Sequence, residues 1–182
     1  MSDFFVNEKL FEGRPEEKKT DREEKIYDAL DSLKIKYKRA EHDASFTIEA
    51  CLDVEKVTGV MTAKNLFLCN RQCTSFYLLV MPGDKPFKTK DLSSQINSAR
   101  LSFADEKHME EFLDTLPGSL SILGLLNDKE QKVRLLIDSD LLKEEYLGFH
   151  PCLNTSTLVL KTEDIINIYL PYVKHEPTYV NL

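Results

Sequence analysis

The sequence predicts an α+β fold, a single domain in which helices pack around a mixed central β-sheet with parallel and antiparallel strands. Strand-like and helix-like segments interleave along 182 residues, a length that suits one domain. Some neighbouring strands are joined by short polar turns, which favour antiparallel pairing, whereas others are separated by helices, as parallel pairing requires. The chain shows no internal repeat, low-complexity tract or interdomain linker.

The elements follow from hydrophobic periodicity and from helix and turn signals. Residues 1–19 are expected to form an irregular N-terminal arm, and residues 20–182 the folded domain. Thr20 or Asp21 is a suitable cap for a first helix that ends near Lys34. Further helices are predicted at 47–58, 90–96, 105–113, 138–145 and 162–170, and strands at 35–40, 64–69, 75–81, 100–103, 132–137, 146–149 and 155–160.

Two proline-containing segments shape the second half of the chain. Pro117-Gly118-Ser119 interrupts the chain before the apolar run from Leu120 to Leu126, which is typical of a buried strand. Pro171 is expected to end the last helix.

Composition and charge exclude several classes of protein. The chain is 42% hydrophobic and 30% charged, as soluble globular proteins are. It has no apolar run near the roughly 20 residues that cross a bilayer and no signal-peptide pattern, so we expect a cytoplasmic protein without a membrane partner. The net charge of −7 argues against broad nucleic-acid binding and against DNA as a partner. The net charge does not exclude recognition of one nucleic-acid end by a local pocket.

Familiar catalytic and metal-binding motifs are absent from the sequence. It contains no G-x-G-x-x-G, P-loop, H-E-x-x-H or G-x-S-x-G pattern. Cys69 and Cys73 are spaced as C-x3-C but lack the second ligand pair that a zinc site needs, so we expect no metal and no cofactor. Cys152 lies two residues after His150, and a thiol nucleophile there is a less favoured alternative.

The first segment of chemical interest is the predicted strand that begins at Lys64. Because side chains alternate along a strand, Lys64 shares a face with Leu66 and Leu68. A lysine at the start of a leucine-lined face either snorkels at the sheet edge or points into a pocket to meet an anion.

The second segment is the loop from Leu116 to Ser121. Pro117 and Gly118 define a turn, and glycine allows a ligand to approach the backbone closely. Exposed amides of such a loop can bind a carbonyl oxygen or an oxyanion, although a plain structural turn has the same pattern.

The third segment extends from Phe149 to Thr157. His150, Asn154 and several hydroxyl groups lie here between apolar strands, and the segment is either a hydrogen-bonded corner or a pocket wall. The remaining histidines have charged neighbours and are expected on the surface; they are His42, His108 and His175.

Together these segments resemble the YbaK and prolyl-tRNA synthetase editing-domain superfamily, and its free-standing ProX/PrdX branch most of all. The likeness extends from about Thr20 to the C-terminus. Each motif is weak alone, but their order and spacing match as well. The matching motifs are Ala63-Lys64-Asn65-Leu66-Phe67-Leu68, then Pro117-Gly118-Ser119-Leu120-Ser121 with Gly124-Leu125, then Phe149-His150-Pro151 with Asn154-Thr155-Ser156-Thr157.

The resemblance implies a trans-editing aminoacyl-tRNA deacylase that hydrolyses the ester of mischarged Ala-tRNA(Pro). A pocket for proline discriminates weakly against smaller alanine, because each missing methylene is worth only ~1–3 kcal/mol, and a second site supplies the missing selectivity. The implied partners are the acceptor end of tRNA(Pro) and prolyl-tRNA synthetase. No metal or cofactor is implied.

The family's functional residues carry over by position. Lys64 would contact the phosphate or ribose of the tRNA end, and Asn65 would help to orient that end or the substrate. His150 would shape the pocket that reads the amino-acid side chain. Asn154 and Thr155 would support the substrate site.

The resemblance also implies roles for the residues of the loop from Leu116 to Ser121, and the sequence differs from the family pattern at one position just after it. Gly118, with the Ser119 and Leu120 amides, would position the ester carbonyl and stabilise its developing charge. The nucleophile would be a water molecule positioned with help from the ribose hydroxyl. Family members often have proline where this chain has Ile122, and the departure leaves the amino-acid preference open.

Two alternatives stay open beside alanine removal. One is a deacylase for Cys-, Ser- or Thr-charged tRNA, and the other is a non-catalytic module that binds charged tRNA. Two lysine- and arginine-containing clusters can supply a local basic patch for the tRNA; they are Lys36, Lys38 and Arg39, and Lys85, Lys88 and Lys90.

Overall fold

The computed structural model describes residues 4–44 and 47–182 and confirms the α+β fold with mixed strand pairing. Its strands form two sheets. The first has the order β1-β2-β8-β7 and is antiparallel throughout. Its strands are β1 (Phe11–Glu12), β2 (Tyr37–Glu41), β7 (Tyr146–Phe149) and β8 (Ser156–Lys161).

The second sheet has five strands in the order β5-β3-β4-β6-β9 and is mixed. β3 pairs antiparallel with β4 and β5, whereas β6 pairs parallel with β4 and β9. Its strands are β3 (Lys64–Cys69), β4 (Phe76–Met81), β5 (Ser102–Phe103), β6 (Val133–Asp138) and β9 (Thr178–Val180).

A short bridge joins the two sheets just before β3. The Gly148 amide donates to the Met61 carbonyl at 2.8 Å, and the Ala63 amide donates to the Gly148 carbonyl at 3.0 Å. Gly148 fits here because an added Cβ would lie 3.2 Å from the Thr62 hydroxyl oxygen. The bridge therefore brings the start of β3 next to the end of β7, where His150 follows.

Helices cover the sheets, and side-chain caps begin several of them. Thr20 forms a capping box with Glu23, and Thr47 accepts a hydrogen bond from the Ala50 amide. Gly59 ends its helix at a φ of 71°, a left-handed conformation that suits glycine. No helix in the described part of the chain is long and apolar enough to cross a membrane. The regular helices are α1 (Asp21–Ser32), α2 (Ile48–Thr58), α3 (Thr89–Gln95) and α4 (Glu106–Leu113).

Two cores lie on opposite faces of the five-stranded sheet. The larger one is packed between the sheets and α1, and it includes Phe67, Leu78 and Leu158. The smaller one lies beneath α3 and includes Leu68 and Leu92. Residues of β3 therefore alternate between two buried environments, and this alternation decides where Lys64 and Asn65 point.

The apolar run after Pro117 is a helix rather than the expected strand. Ile122–Leu126 forms a 3-10 helix, and the Ser121 hydroxyl accepts a hydrogen bond from the Leu123 amide. The segment is buried, and Gly124 packs where a Cβ would lie 2.9 Å from the Leu113 carbonyl oxygen. A run buried on several sides has no periodicity that distinguishes a strand from a helix.

The last helical segment continues past Pro171, contrary to the sequence prediction. α5 (Thr162–Asp164) leads into a π-helical turn at Ile165–Tyr169 and then into α6 (Leu170–Val173). The wider π turn accommodates a residue that has no N–H to donate to the preceding turn. Lys174, at a φ of 60°, ends the segment. The helix predicted at 138–145 is a shorter 3-10 helix at Ser139–Lys143.

Two histidines expected on the surface are buried. His42 and His175 are each only 6% exposed, and each hydrogen-bonds to a distant residue. His42 Nε2 lies 2.9 Å from the Thr157 hydroxyl oxygen, and His175 Nε2 lies 3.0 Å from Asp128 Oδ2. Their charged sequence neighbours do not reveal these partners. His108 is half-buried against Phe76.

Candidate active site

The three segments singled out in the sequence meet at one cavity of about 970 Å³. It is bounded by α2, the start of β3, the turn after β4, the loop before the 3-10 helix at Ile122–Leu126, and the end of β7. Five of the eight predicted site residues line it; they are Lys64, Asn65, Gly118, Leu120 and His150.

Lys64 lies at the mouth of this cavity and is held by a relay of hydrogen bonds. Its Nζ donates to the Lys85 carbonyl at 2.9 Å. The Lys85 side chain is itself fixed, because its Nζ lies 2.7 Å from both Asp138 Oδ2 and Asp140 Oδ2. One carbonyl bond occupies one of the three N–H groups of an ammonium, so Lys64 retains donors for an anion.

Asn65 points to the opposite face of β3 and connects that strand to the Gly118 loop. Its Oδ1 accepts a hydrogen bond from the Ile122 amide at 2.9 Å, and its Nδ2 donates to the Ala63 carbonyl at 3.0 Å. A proline at position 122 has no N–H and would lack this bond. The departure from the family pattern at Ile122 is therefore what allows Asn65 to hold the loop.

We expect Asn65→Ala to lower the free energy of unfolding by about 1–3 kcal/mol, because it leaves the Ile122 amide without its acceptor. Catalysis should fall as well, because the loop that carries Gly118 loses its connection to β3. Asn65→Asp retains an acceptor oxygen and is the matched control. Urea unfolding together with kcat/KM checks the prediction, and equal behaviour of the two variants would contradict it.

The Gly118 loop is a tight turn with two available amides. Pro117 precedes Gly118, whose φ of 85° matches the glycine position of a type II turn. The Ser119 amide donates to the Leu116 carbonyl at 3.0 Å and closes the turn, so it does not face a ligand as expected. The Ser119 hydroxyl donates to the same carbonyl at 2.9 Å. Within the described residues, the Gly118 and Leu120 amides have no protein acceptor.

His150 is a neutral side chain in the cavity wall. Burial, with a smaller contribution from the nearby His42, lowers its pKa to about 4 against the opposing effect of the hydrogen bond to Ser156. Nδ1 lies 2.9 Å from the Ser156 carbonyl oxygen, so the neutral ring carries its proton there. Nε2 is then an acceptor.

A pH profile checks this assignment. Because the folded pKa lies below the ordinary value of about 6.5, His150 stays neutral from neutral pH down to about pH 5. We expect its protonation to lower kcat/KM only near pH 4, measured with short incubations in which the fold is shown to persist. A fall with a midpoint near pH 6.5 that disappears in His150→Asn would contradict the prediction.

Asn154 and Thr155 do not line the cavity. Asn154 is buried, whereas Thr155 is exposed and borders a separate depression with His42. The Thr155 carbonyl accepts a hydrogen bond from the His42 amide at 3.0 Å. Support of the substrate site from outside the lining therefore stays a prediction for both residues.

The cavity includes residues that the motif analysis missed. Glu55 of α2 lines it, and its Oε1 accepts a hydrogen bond from the Thr62 amide at 2.7 Å. Asp84 contributes a second carboxylate from the turn after β4. No sequence signal distinguishes Glu55 from the other charged residues of α2, because its place in the lining depends on how that helix packs. The apolar part of the lining includes Leu52, Val60, Met61, Ala63 and Leu120.

Cys51 of α2 lines the cavity, but Cys152, the thiol nucleophile considered from the sequence, does not. Cys152 is buried away from the cavity lining, and burial raises the pKa of its thiol far above the ordinary range. Cys69 and Cys73 lie at the β3–β4 turn with their sulfurs 3.7 Å apart. Among residues 4–44 and 47–182, no group of three His, Cys, Asp or Glu side chains is arranged to hold a metal ion.

Comparison with known proteins connects this site to the editing of aminoacyl-tRNA. The aminoacyl-tRNA editing domain family matches residues 42–168, a range that contains all three motif segments. The prolyl-tRNA editing protein ProX of Acetoanaerobium sticklandii is 35% identical over 150 residues, which cover 81% of this chain and 90% of the relative. Prolyl-tRNA synthetase associated domain-containing protein 1 of Mus musculus is 32% identical over 157 residues, covering 84% and 91%.

Solved structures show the same fold at much lower identity. A crystal structure assigned provisionally as a trans-editing enzyme for prolyl-tRNA synthetase superposes with a TM-score of 0.65 at 10% identity. The match covers 91% of this chain and 99% of the other. At that identity the likeness supports the architecture alone.

Proposed function

Because this chain belongs to the aminoacyl-tRNA editing domain family, it is an ester hydrolase of aminoacyl-tRNA, and we propose that it removes alanine from mischarged tRNA(Pro) in trans. Family membership confirms the resemblance drawn from the three sequence segments. The observation that carries the proposal is that the three segments meet at one cavity, which is lined by Lys64, by Gly118 and Leu120 of the loop, and by the neutral His150.

In the proposed complex, the terminal adenosine and its ester enter at Lys64. The lysine has donors left for a phosphate or ribose oxygen of the tRNA end. The α-ammonium group of the amino acid is attracted by Glu55 and Asp84, which supply negative charge inside the cavity.

Hydrolysis then requires a water molecule and stabilisation of the oxyanion. Water attacks the ester carbonyl carbon and the C–O bond to the ribose breaks. The proton that the water loses is balanced by the proton that the ribose oxygen gains as it leaves as a hydroxyl. The Gly118 and Leu120 amides stabilise the negative charge on the carbonyl oxygen. A ribose hydroxyl of the substrate helps to position the water. His150, with a pKa near 4, acts as a hydrogen-bond acceptor in the wall.

In the proposed complex, the apolar wall selects alanine over proline by size. The alanine methyl group would lie against Met61, Ala63 and Leu120, and these side chains would exclude the larger pyrrolidine ring. The synthetase and this enzyme thus act as two sieves with opposite size preferences. We therefore propose a cytoplasmic enzyme that works beside prolyl-tRNA synthetase.

The test is the hydrolysis rate of Ala-tRNA(Pro) compared with Pro-, Cys- and Ser-tRNA(Pro). We expect fast release of alanine and sparing of proline. Faster release of cysteine or serine would reassign the amino-acid specificity. Binding of charged tRNA without release of any amino acid would instead indicate a non-catalytic module.

A further inference from the structure

A second groove, of about 540 Å³, adjoins the active-site cavity and shares Lys64 with it. The cavity receives the terminal residue of a polymer, so the rest of that polymer must leave along the protein surface. The groove begins where Lys64 marks the cavity mouth. It is lined by Lys64, Leu66, Phe87, Lys88, Thr89, Lys90 and Phe103.

An exposed aromatic ring forms one side of this groove. Phe103 is 64% exposed, although it lies on a β-strand of the five-stranded sheet. Its register partner across the β3–β5 pair is Leu68, so its side chain is on the same face as Lys64. Phe87 packs edge-on against it, with ring centroids 6.3 Å apart and planes at 70°. This contact fixes the Phe103 ring and leaves much of its surface open.

The groove is also positively charged within an acidic protein. Its lining has three lysines and no carboxylate, whereas the whole chain has a net charge of −7. Within the described ranges 4–44 and 47–182, none of these lysines pairs with a carboxylate. Lys88 and Lys90 are exposed, so their ammonium groups are available to an anionic chain.

We propose that this groove binds the single-stranded nucleotides that precede the terminal adenosine of the tRNA. A base stacks on Phe103, and the backbone phosphates contact Lys88 and Lys90. Aromatic platforms beside lysines are the usual means of holding single strands without reading their sequence, and this fits an acceptor end common to all tRNAs. The proposal rests on the proposed function, because it takes the occupant of the neighbouring cavity to be a tRNA terminus.

The experiment compares Phe103→Ala and the double variant Lys88→Ala/Lys90→Ala with the wild-type enzyme. Two substrates are used: Ala-tRNA(Pro), and alanyl-adenosine, which lacks the preceding nucleotides. Controls come from a depression elsewhere that also contains an aromatic ring and lysines: Tyr172→Ala and Lys129→Ala/Lys174→Ala. Direct binding of the tetranucleotide ACCA is measured by fluorescence anisotropy.

We expect the ratio of kcat/KM for Ala-tRNA(Pro) to kcat/KM for alanyl-adenosine to fall about 5- to 100-fold in Phe103→Ala, since a stacked base is worth ~1–3 kcal/mol. The lysine double variant should weaken ACCA binding and flatten its salt dependence. Control variants should retain wild-type ratios. An unchanged ratio and unchanged ACCA affinity in both groove variants would overturn the proposal.

The oligonucleotide measurement separates this proposal from the proposed function. If the wild-type protein releases no amino acid from any substrate, the proposed hydrolysis fails, and loss of ACCA binding in Phe103→Ala still supports the groove. If hydrolysis is fast but the groove variants match the controls, the hydrolysis stands and the groove proposal fails.

Discussion

Lys64→Ala should lower kcat/KM for Ala-tRNA(Pro) by about 10- to 100-fold, because a hydrogen bond to a charged group is worth ~1.5–3 kcal/mol. Lys64 contributes no buried ion pair within the described residues, and its one protein partner is the Lys85 carbonyl. The loss should therefore affect substrate binding and turnover rather than folding. The slope of log KM against log salt should also decrease by about one unit, as expected when one phosphate contact is removed.

The control for this experiment is Lys56→Ala, which removes an exposed lysine on α2 that pairs with Asp53. Lys64→Arg tests the geometry, because a guanidinium retains the charge but not the compact ammonium. Unfolding curves for all variants establish that the fold persists. Wild-type kcat/KM in Lys64→Ala would exclude the proposed role of this residue.

The prediction of β3 and β4 succeeded because both strands are short apolar runs flanked by polar turns. The structure has β3 at the predicted residues and β4 one residue shorter, at Phe76–Met81. The alternation along β3 correctly placed Lys64 on the face of Leu66 and Leu68. Local periodicity was sufficient here, because both faces of the strand are buried by elements that do not alter its hydrogen bonding.

The features that sequence reasoning missed depend on long-range partners. His42 has charged neighbours in the sequence, but its partner Thr157 is 115 residues away. The closing of the Gly118 turn by the Ser119 amide depends on backbone geometry that side-chain identity does not reveal. Glu55 lines the cavity because α2 packs beside the turn after β4, and this packing is not evident from the sequence.

The same structure explains how an acidic protein can act on a nucleic acid. Of its 24 lysines and arginines, Lys64, Lys88 and Lys90 lie together where the acceptor end would enter and leave in the proposed complex. In the proposed complex, the carboxylates in the cavity would attract the ammonium group of the amino acid. Net charge therefore reports on the whole surface, whereas function depends on a local pattern of opposite charges.

Asp128→Ala should lower the free energy of unfolding by about 3–5 kcal/mol at neutral pH, although Asp128 lies outside the active site. Its carboxylate accepts hydrogen bonds from the Lys132 and Val133 amides, both at 2.8 Å, and from His175 Nε2 at 3.0 Å. These bonds connect the start of β6 to the segment between α6 and β9. The substitution would leave two amides and an imidazole buried without their acceptor.

The effect should depend on pH in a defined direction. Burial alone would raise the pKa of Asp128, but the hydrogen bonds from His175 and the two amides outweigh it, so the pKa lies below its ordinary value. The stabilisation is therefore complete above the unfolded-state pKa of about 3.9 and is lost as the pH falls through the folded-state pKa. Urea unfolding of wild type and Asp128→Ala should give curves that converge in acid, with Asp53→Ala as an exposed control. A difference in stability that stays constant between pH 7 and pH 2 would show that the charge of Asp128 is not what stabilises this junction.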